Sequence, residues 1–196
     1  MQSTCRYSWG KLPQLAKDGG DLARRALLGI CIVVVVMGFA CGPALASTVT
    51  LTTFETRVLQ LVNYERTKRG LVPLRAQYNL MLAARVHTRT MATVPFFSHV
   101  SPTGTTPASR AIRYGYTVTG FRSWRLAENI AWCGGTSSTP EQIVRGWMNS
   151  TAHRAIILTA SYRDIGIGVV TSVITPYRTR MATVRYYTVD LGRRIR

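Results

Sequence analysis

Two stretches near the C-terminal end, DIGIGVVTSVIT (164–175) and ATVRYYTVDLG (182–192), alternate at period two across a short PYRTR loop. Alternation of that kind sends successive side chains to opposite faces of an extended strand. The pair therefore predicts neighbouring antiparallel strands. Upstream the period is helical. TTFETRVLQLVNYERTKRG (52–70) places Phe54, Val58, Leu61 and Val62 on one stripe, with Thr52 and Glu55 as a capping box and Gly70 as the stop. A second helix is expected from about Ala76 to Met91, with Leu80, Ala83, Ala84, His87 and Met91 sharing a face. PASRAIRYGY (107–116) is a third helical piece. TPEQIVRGWMNS (139–150) is a fourth, with Thr139 as N-cap, Pro140 at the first helical position and Glu141 complementing the positive end. STAHRAIIL (150–158) follows after a break, and RLAENIAWCGG (125–135) reads as a turn into a short apolar segment. Helices first and strands last give an α+β fold.

The first 46 residues have another logic. Arg24 and Arg25 precede an apolar run from Ala26 to about Ala40, Gly42-Pro43 breaks it, and Ala44-Leu45-Ala46 offers small residues two apart. This is the layout of a secretory signal with an A-x-A cleavage site, its apolar core spanning about 26–42. The run is short for a spanning helix, which needs ~20 residues. Cleavage after Ala46 is favoured over retention of Leu27–Leu45 as an anchor. The polar start, 1–21, shows no periodicity. The organisation expected is thus a leader (1–46), a linker (47–53), one domain (54–192) and a basic tail (193–196).

Cleavage would leave 20 Arg and Lys against 6 Asp and Glu, a net +14, within a chain whose formal charge is +17. The arginines are scattered, with a small cluster only at Arg193, Arg194 and Arg196. Such a field suits anionic envelope polymers or lipid headgroups, and no nucleic-acid motif accompanies it. Cleavage would also leave Cys133 as the single cysteine, so the expectation is a monomeric exported domain without bridges, with Cys133 as a small buried hydrophobe.

Three residues hold much of the proton or metal chemistry downstream of the leader: His99 in FFSHVSPTG, Glu128 in AENIA and His153 in STAHRAIIL. Two imidazoles and a carboxylate suit a zinc-like ion with one position open to water. They equally suit acid–base work, with the carboxylate orienting an imidazole. Outside this trio, His87 reads as a packing histidine. Ser98 and Ser101 flank His99, but no Gly-x-Ser-x-Gly elbow supports a serine nucleophile.

Taken in order, FFSHVSPTG, AENIA, WMNSTAHRAIIL, IGIGV and YYTVDLG resemble the bacterial branch of the CAP superfamily, named for cysteine-rich secretory proteins, antigen 5 and plant pathogenesis-related proteins. The resemblance runs from Phe54 to Gly192. It implies a three-layer α-β-α sandwich around a mainly antiparallel sheet, and a cleft where His99, Glu128 and His153 converge. His99 and His153 match the family histidines, and Glu128 the acid of the Gly-Glu-Asn-Ile motif. Many relatives carry a second acid after the helix tryptophan. Here Met148, Asn149 and Ser150 follow Trp147, which lowers the negative charge available to hold zinc. Ala127 replaces a family glycine, and Val189 a usual glutamine. The function implied is binding of a small ligand, lipid, envelope component or divalent metal, outside the cell or at the envelope. The alternative is a metal- or histidine-dependent hydrolase acting on peptides or cell wall.

Overall fold

The structure, a computed structural model, describes residues 5–11, 49–117 and 119–196. The apolar run at 26–42 and the expected cleavage site lie outside these residues. In chain order the elements are β1 (Cys5–Lys11), α1 (Thr53–Thr67), β2 (Arg75–Ala76), α2 (Tyr78–Thr93), α3 (Pro107–Arg113), β3 (Ser123–Gly134), a 3₁₀ turn (Gly135–Ser137), α4 (Pro140–Asn149), α5 (Thr151–Ile157), β4 (Asp164–Ile174) and β5 (Arg180–Ile195). The sheet order is β1-β3-β5-β4-β2. Strand β2 runs parallel to β4, and the other pairings are antiparallel.

Local chemistry sets the helix starts. The Thr52 main-chain N–H donates to Glu55 Oε2 (2.9 Å), and the Glu55 N–H donates back to Thr52 Oγ1 (3.3 Å), completing the capping box. Thr139 Oγ1 accepts from the Gln142 N–H (3.3 Å) at the start of α4, with Pro140 in its first turn. Gly70 adopts φ 72° just beyond α1.

The sheet is covered on both faces. Val58 and Val62 of α1, Ile143, Val144 and Trp147 of α4, and Ile156 and Ile157 of α5 pack against Ala131, Tyr187, Val189 and Leu191 of the sheet. Residues of opposite parity, Ile130, Trp132, Val184 and Tyr186, meet Met91 of α2 and the partly buried Phe96 and Phe97. Helix α2 sits close on β4: a Cβ added at Gly168 would collide with Thr88 Oγ1 and the Ala84 carbonyl. The α-β-α sandwich is therefore present. Arg66 ties its outer layer together. Fully buried, its guanidinium donates to the carbonyls of Val72 (3.0 Å), Ile157 (2.6 Å), Thr159 (3.0 Å) and Tyr162 (3.3 Å).

Three expectations are corrected. RLAENIAWCGG belongs to β3, a full strand that pairs along its whole length with β5. Every residue from Leu126 to Gly134 is buried, so the stretch lacks the half-exposed alternation that marks a strand in sequence. Arg193 and Arg194 continue β5 rather than forming a tail. Thirdly, Cys133 is not alone. Seven residues of the expected leader add β1 to the outer side of β3, in register from Cys5 opposite Cys133 to Lys11 opposite Ala127, and Cys5 and Cys133 form a disulfide.

Candidate functional site

The site is built around a fully buried carboxylate on β3. Glu128 points to the α2 side of the sheet, with the parity of Ile130 and Trp132. His99 Nδ1–H donates to its Oε1 (2.7 Å), and Arg110 Nη2 donates to its Oε2 (2.5 Å). His87 Nε2 lies 4.0 Å from the same Oε1. Burial alone pushes the Glu128 carboxyl up. The His99 bond, the Arg110 charge and the neighbouring imidazoles outweigh it and hold the carboxyl below its usual range.

His99 occupies the loop after α2, closed by Gly104 N–H to Ser101 O (2.8 Å) and Ser101 N–H to Thr105 O (3.0 Å). Arg110 braces that loop from α3: its Nη1 donates to the carbonyls of His99 (2.9 Å) and Thr105 (3.0 Å) while Nη2 holds Glu128. With Nδ1–H committed to Glu128, Nε2 of His99 is an acceptor. It receives the Ser8 hydroxyl of β1 at 3.0 Å.

His87 is fully buried. Its Nε2–H donates to the Ser98 carbonyl (3.0 Å) and its Nδ1 accepts from the Ser101 hydroxyl (3.3 Å). Burial drives its pKa down to about 4, with Arg110 adding to the effect against the pull of Glu128. His87 is thus a neutral packing group that holds the loop carrying His99.

A second carboxyl stands directly across the ladder. Asp190 of β5 is the Cα partner of Glu128 and is fully buried. Neither of its oxygens has a hydrogen-bond partner of ordinary geometry among the described residues. Burial and the adjacent Glu128 charge raise its pKa well above the usual range, against the pull of Arg110.

His153 lies in the opposite layer, in the first turn of α5. Its Nδ1 is 2.7 Å from Ser150 Oγ, and its carbonyl accepts from Asn129 Nδ2 (3.2 Å), on the face of β3 away from Glu128. The residue is 4% exposed, and Nε2 has no hydrogen bond of ordinary geometry among the described residues. Burial lowers its pKa, against the opposing effect of the Ser8 main chain, and the neighbouring His99 adds to the lowering whenever it is protonated. The Tyr7 ring meets His153 edge-on, centroids 6.1 Å apart. The two imidazoles therefore approach from opposite sides of the sheet and meet at consecutive residues of β1.

Sequence reasoning singled out His99, Glu128 and His153. Structure joins His99 to Glu128 directly, and brings His153 to the same stretch of β1 without a bond to either. It also adds Arg110, Asp190, Tyr7 and Ser8. Nothing local marks Arg110, one of 25 basic residues. Asp190 carries a weak signal, a lone acid inside an apolar strand. Zinc is not accommodated well. Both Glu128 oxygens are occupied by His99 and Arg110, and no group of three or more His, Cys, Asp or Glu with metal-holding geometry occurs among the described residues.

A helical layer on each face of this sheet, with histidines of both layers meeting at its edge, defines a CAP-type domain. The chain belongs to the CAP family, described as the cysteine-rich secretory protein family, whose model matches residues 59–188. It is 38% identical over 120 residues to the uncharacterized protein YkwD of Bacillus subtilis strain 168, covering 61% of this chain and 43% of that one. It is 32% identical over 118 residues to the uncharacterized membrane protein YlbC of the same organism, covering 60% of this chain and 32% of that one. The chain thus spans less than half the length of these relatives. Among solved structures, its fold is similar to an extracellular SCP-domain protein of Bacillus anthracis strain Ames (TM-score 0.54, 23% identity, 74% of this chain and 45% of that one). It is also similar to an outer surface protein of Borrelia burgdorferi (TM-score 0.52, 18% identity, 71% of this chain and 91% of that one). Among the described residues, no helix is long and apolar enough to cross a membrane.

Proposed function

We propose that this chain is an exported CAP-domain binding protein whose ligand is taken up where His99 and His153 face one another across the β3 edge. The observation that carries this reading is the orientation of His99. Glu128 holds Nδ1–H, which turns the acceptor Nε2 toward the edge, where it already holds a hydroxyl group. His153 Nε2, buried and without a hydrogen bond of ordinary geometry among the described residues, offers a second polar contact. A fixed acceptor on His99 and a second imidazole beside the Tyr7 ring suit recognition of a small ligand, lipid or envelope component. The surrounding positive charge favours anionic forms of it. Export agrees with the extracellular SCP-domain protein of similar fold.

Native mass spectrometry of the purified chain against lipids, glycans and divalent ions tests the proposal. A bound species lost in both His99→Ala and His153→Ala is the expected outcome. A chain indifferent to every class would overturn it. Turnover of peptide, ester or peptidoglycan substrates that vanishes in those two variants would replace binding with hydrolysis.

A further inference from the structure

The outer side of β3 is a sheet edge, and a sheet edge with open N–H and C=O groups pairs with whatever extended chain it can reach. Here it is filled by β1, through seven consecutive residue pairs. Side chains of β1 alternate into prepared surroundings. Cys5 and Tyr7 turn toward the α4–α5 layer and join its core. The Tyr7 ring fills a notch opposite Gly146, where even a Cβ would collide with the ring and its hydroxyl. Ser8 turns the other way and donates to His99 Nε2. Arg6 lies over the Tyr177 ring, 5.6 Å from its centroid. Main-chain pairing along the strand, with pockets for alternate side chains, is how strand-addition sites recognise peptides.

The segment that fills this edge precedes the apolar run, and the domain follows it. A chain cleaved after Ala46 is severed from β1 along its backbone. During export through such a leader, residues before the apolar run and residues after it face opposite sides of the membrane. Wherever β1 is absent or released from its disulfide, the edge between the two imidazoles stands ready for another strand.

We propose that the β3 edge from Ala127 to Cys133 is a strand-accepting site for an extended peptide segment of a partner protein. An aromatic residue of the peptide enters the Gly146 notch beside His153, and a hydroxyl residue after it meets His99. Segment β1 is the internal stand-in for that peptide. The inference rests on the ligand-binding reading above and names its ligand class.

The test uses the full chain with its own strand disabled, as Cys5→Ser/Tyr7→Asp and, separately, Cys5→Ser/Ser8→Pro. The first puts a charge into the notch, and the second takes away a main-chain N–H and fixes φ within the strand. The probe is a fluorescent synthetic peptide of residues 5–11 with serine in place of Cys5. Saturable anisotropy is expected with both variants, together with restored amide protection at 127–133 in hydrogen exchange. The unaltered oxidised chain, its edge occupied, binds at least about tenfold more weakly. A probe with alanine at the tyrosine position, or a Gly146→Val change in either variant, weakens binding by about tenfold or more. Absence of peptide binding by variants whose β5 amides stay protected overturns the proposal. So does loss of the fold in both, which would make β1 an obligatory strand. If peptide binding fails while native mass spectrometry still finds a His99-dependent small ligand, only this inference falls. If both fail, the ligand-binding reading falls with it.

Discussion

Burying a histidine in neutral form ties folding to acidity, and His87 allows the size of that tie to be worked out. Its imidazole is fully buried, bonded to the Ser98 carbonyl and the Ser101 hydroxyl, and held at about 4 against an ordinary 6.5. The gap of about 2.5 units, at 1.36 kcal/mol each, amounts to about 3 kcal/mol. The sign follows from which state takes the proton first. Between 6.5 and 4 the unfolded chain binds it and the folded chain does not, so stability falls as pH drops through that window. The contribution is intact above 6.5. His87→Gln can keep a donor near the Ser98 carbonyl but does not titrate. Urea unfolding of both proteins from about pH 7.5 to about pH 4 should show the unaltered chain losing about 3 kcal/mol relative to the variant. Glu128 and Asp190 are present in both, so their titrations largely cancel in the difference. Parallel pH profiles would refute the reasoning.

Glu128→Gln leaves Arg110 buried without a counter-charge, and should cost about 3 kcal/mol at neutral pH. For a domain of this size the melting temperature should fall by about 6–12 °C. Nitrogen-15 NMR of His99 should show loss of the fixed Nδ1–H tautomer; an unchanged spectrum and melt would contradict the assigned role. Asp190→Asn acts in the opposite sense. A carboxyl whose folded pKa is raised makes the folded state the stronger proton binder, so the native chain loses stability as pH climbs above the ordinary aspartate range, and the variant does not. Chemical unfolding should therefore find the variant gaining on the native chain with rising pH. Arg66→Met strands four carbonyls of the α1 and α5 ends and should lower stability by about 3–5 kcal/mol, read from the urea midpoint.

Much of this architecture is legible in the sequence wherever local chemistry decides the outcome. The capping box at Thr52 and Glu55, the Thr139–Pro140 start and the alternation in the last two strands each act within a few residues, so a linear reading finds them. Strand β3 escapes because burial on both faces erases the period that identifies a strand. Arg110 escapes for another reason: its partners, Glu128 and the carbonyls of His99 and Thr105, are assembled by tertiary packing, and no spacing in SRAIR marks it. Strand β1 escapes because its segment shows no periodicity and precedes an apolar run that draws attention to targeting. His99, Glu128 and His153 emerge from motif order alone, while the fact that their two imidazoles approach from opposite layers required coordinates.

The close seat of α2 on β4 reaches the imidazoles from a distance. With no side chain at Gly168, the spacing between helix and strand is set by bare main chain against Ala84 and Thr88. A methyl group there would act as a shim. The helix it lifts carries His87, which anchors the Ser98–Ser101 loop and with it the aim of His99. Misalignment at the sheet edge can thus be introduced by a residue that touches none of the histidines, through the thickness of a single carbon atom.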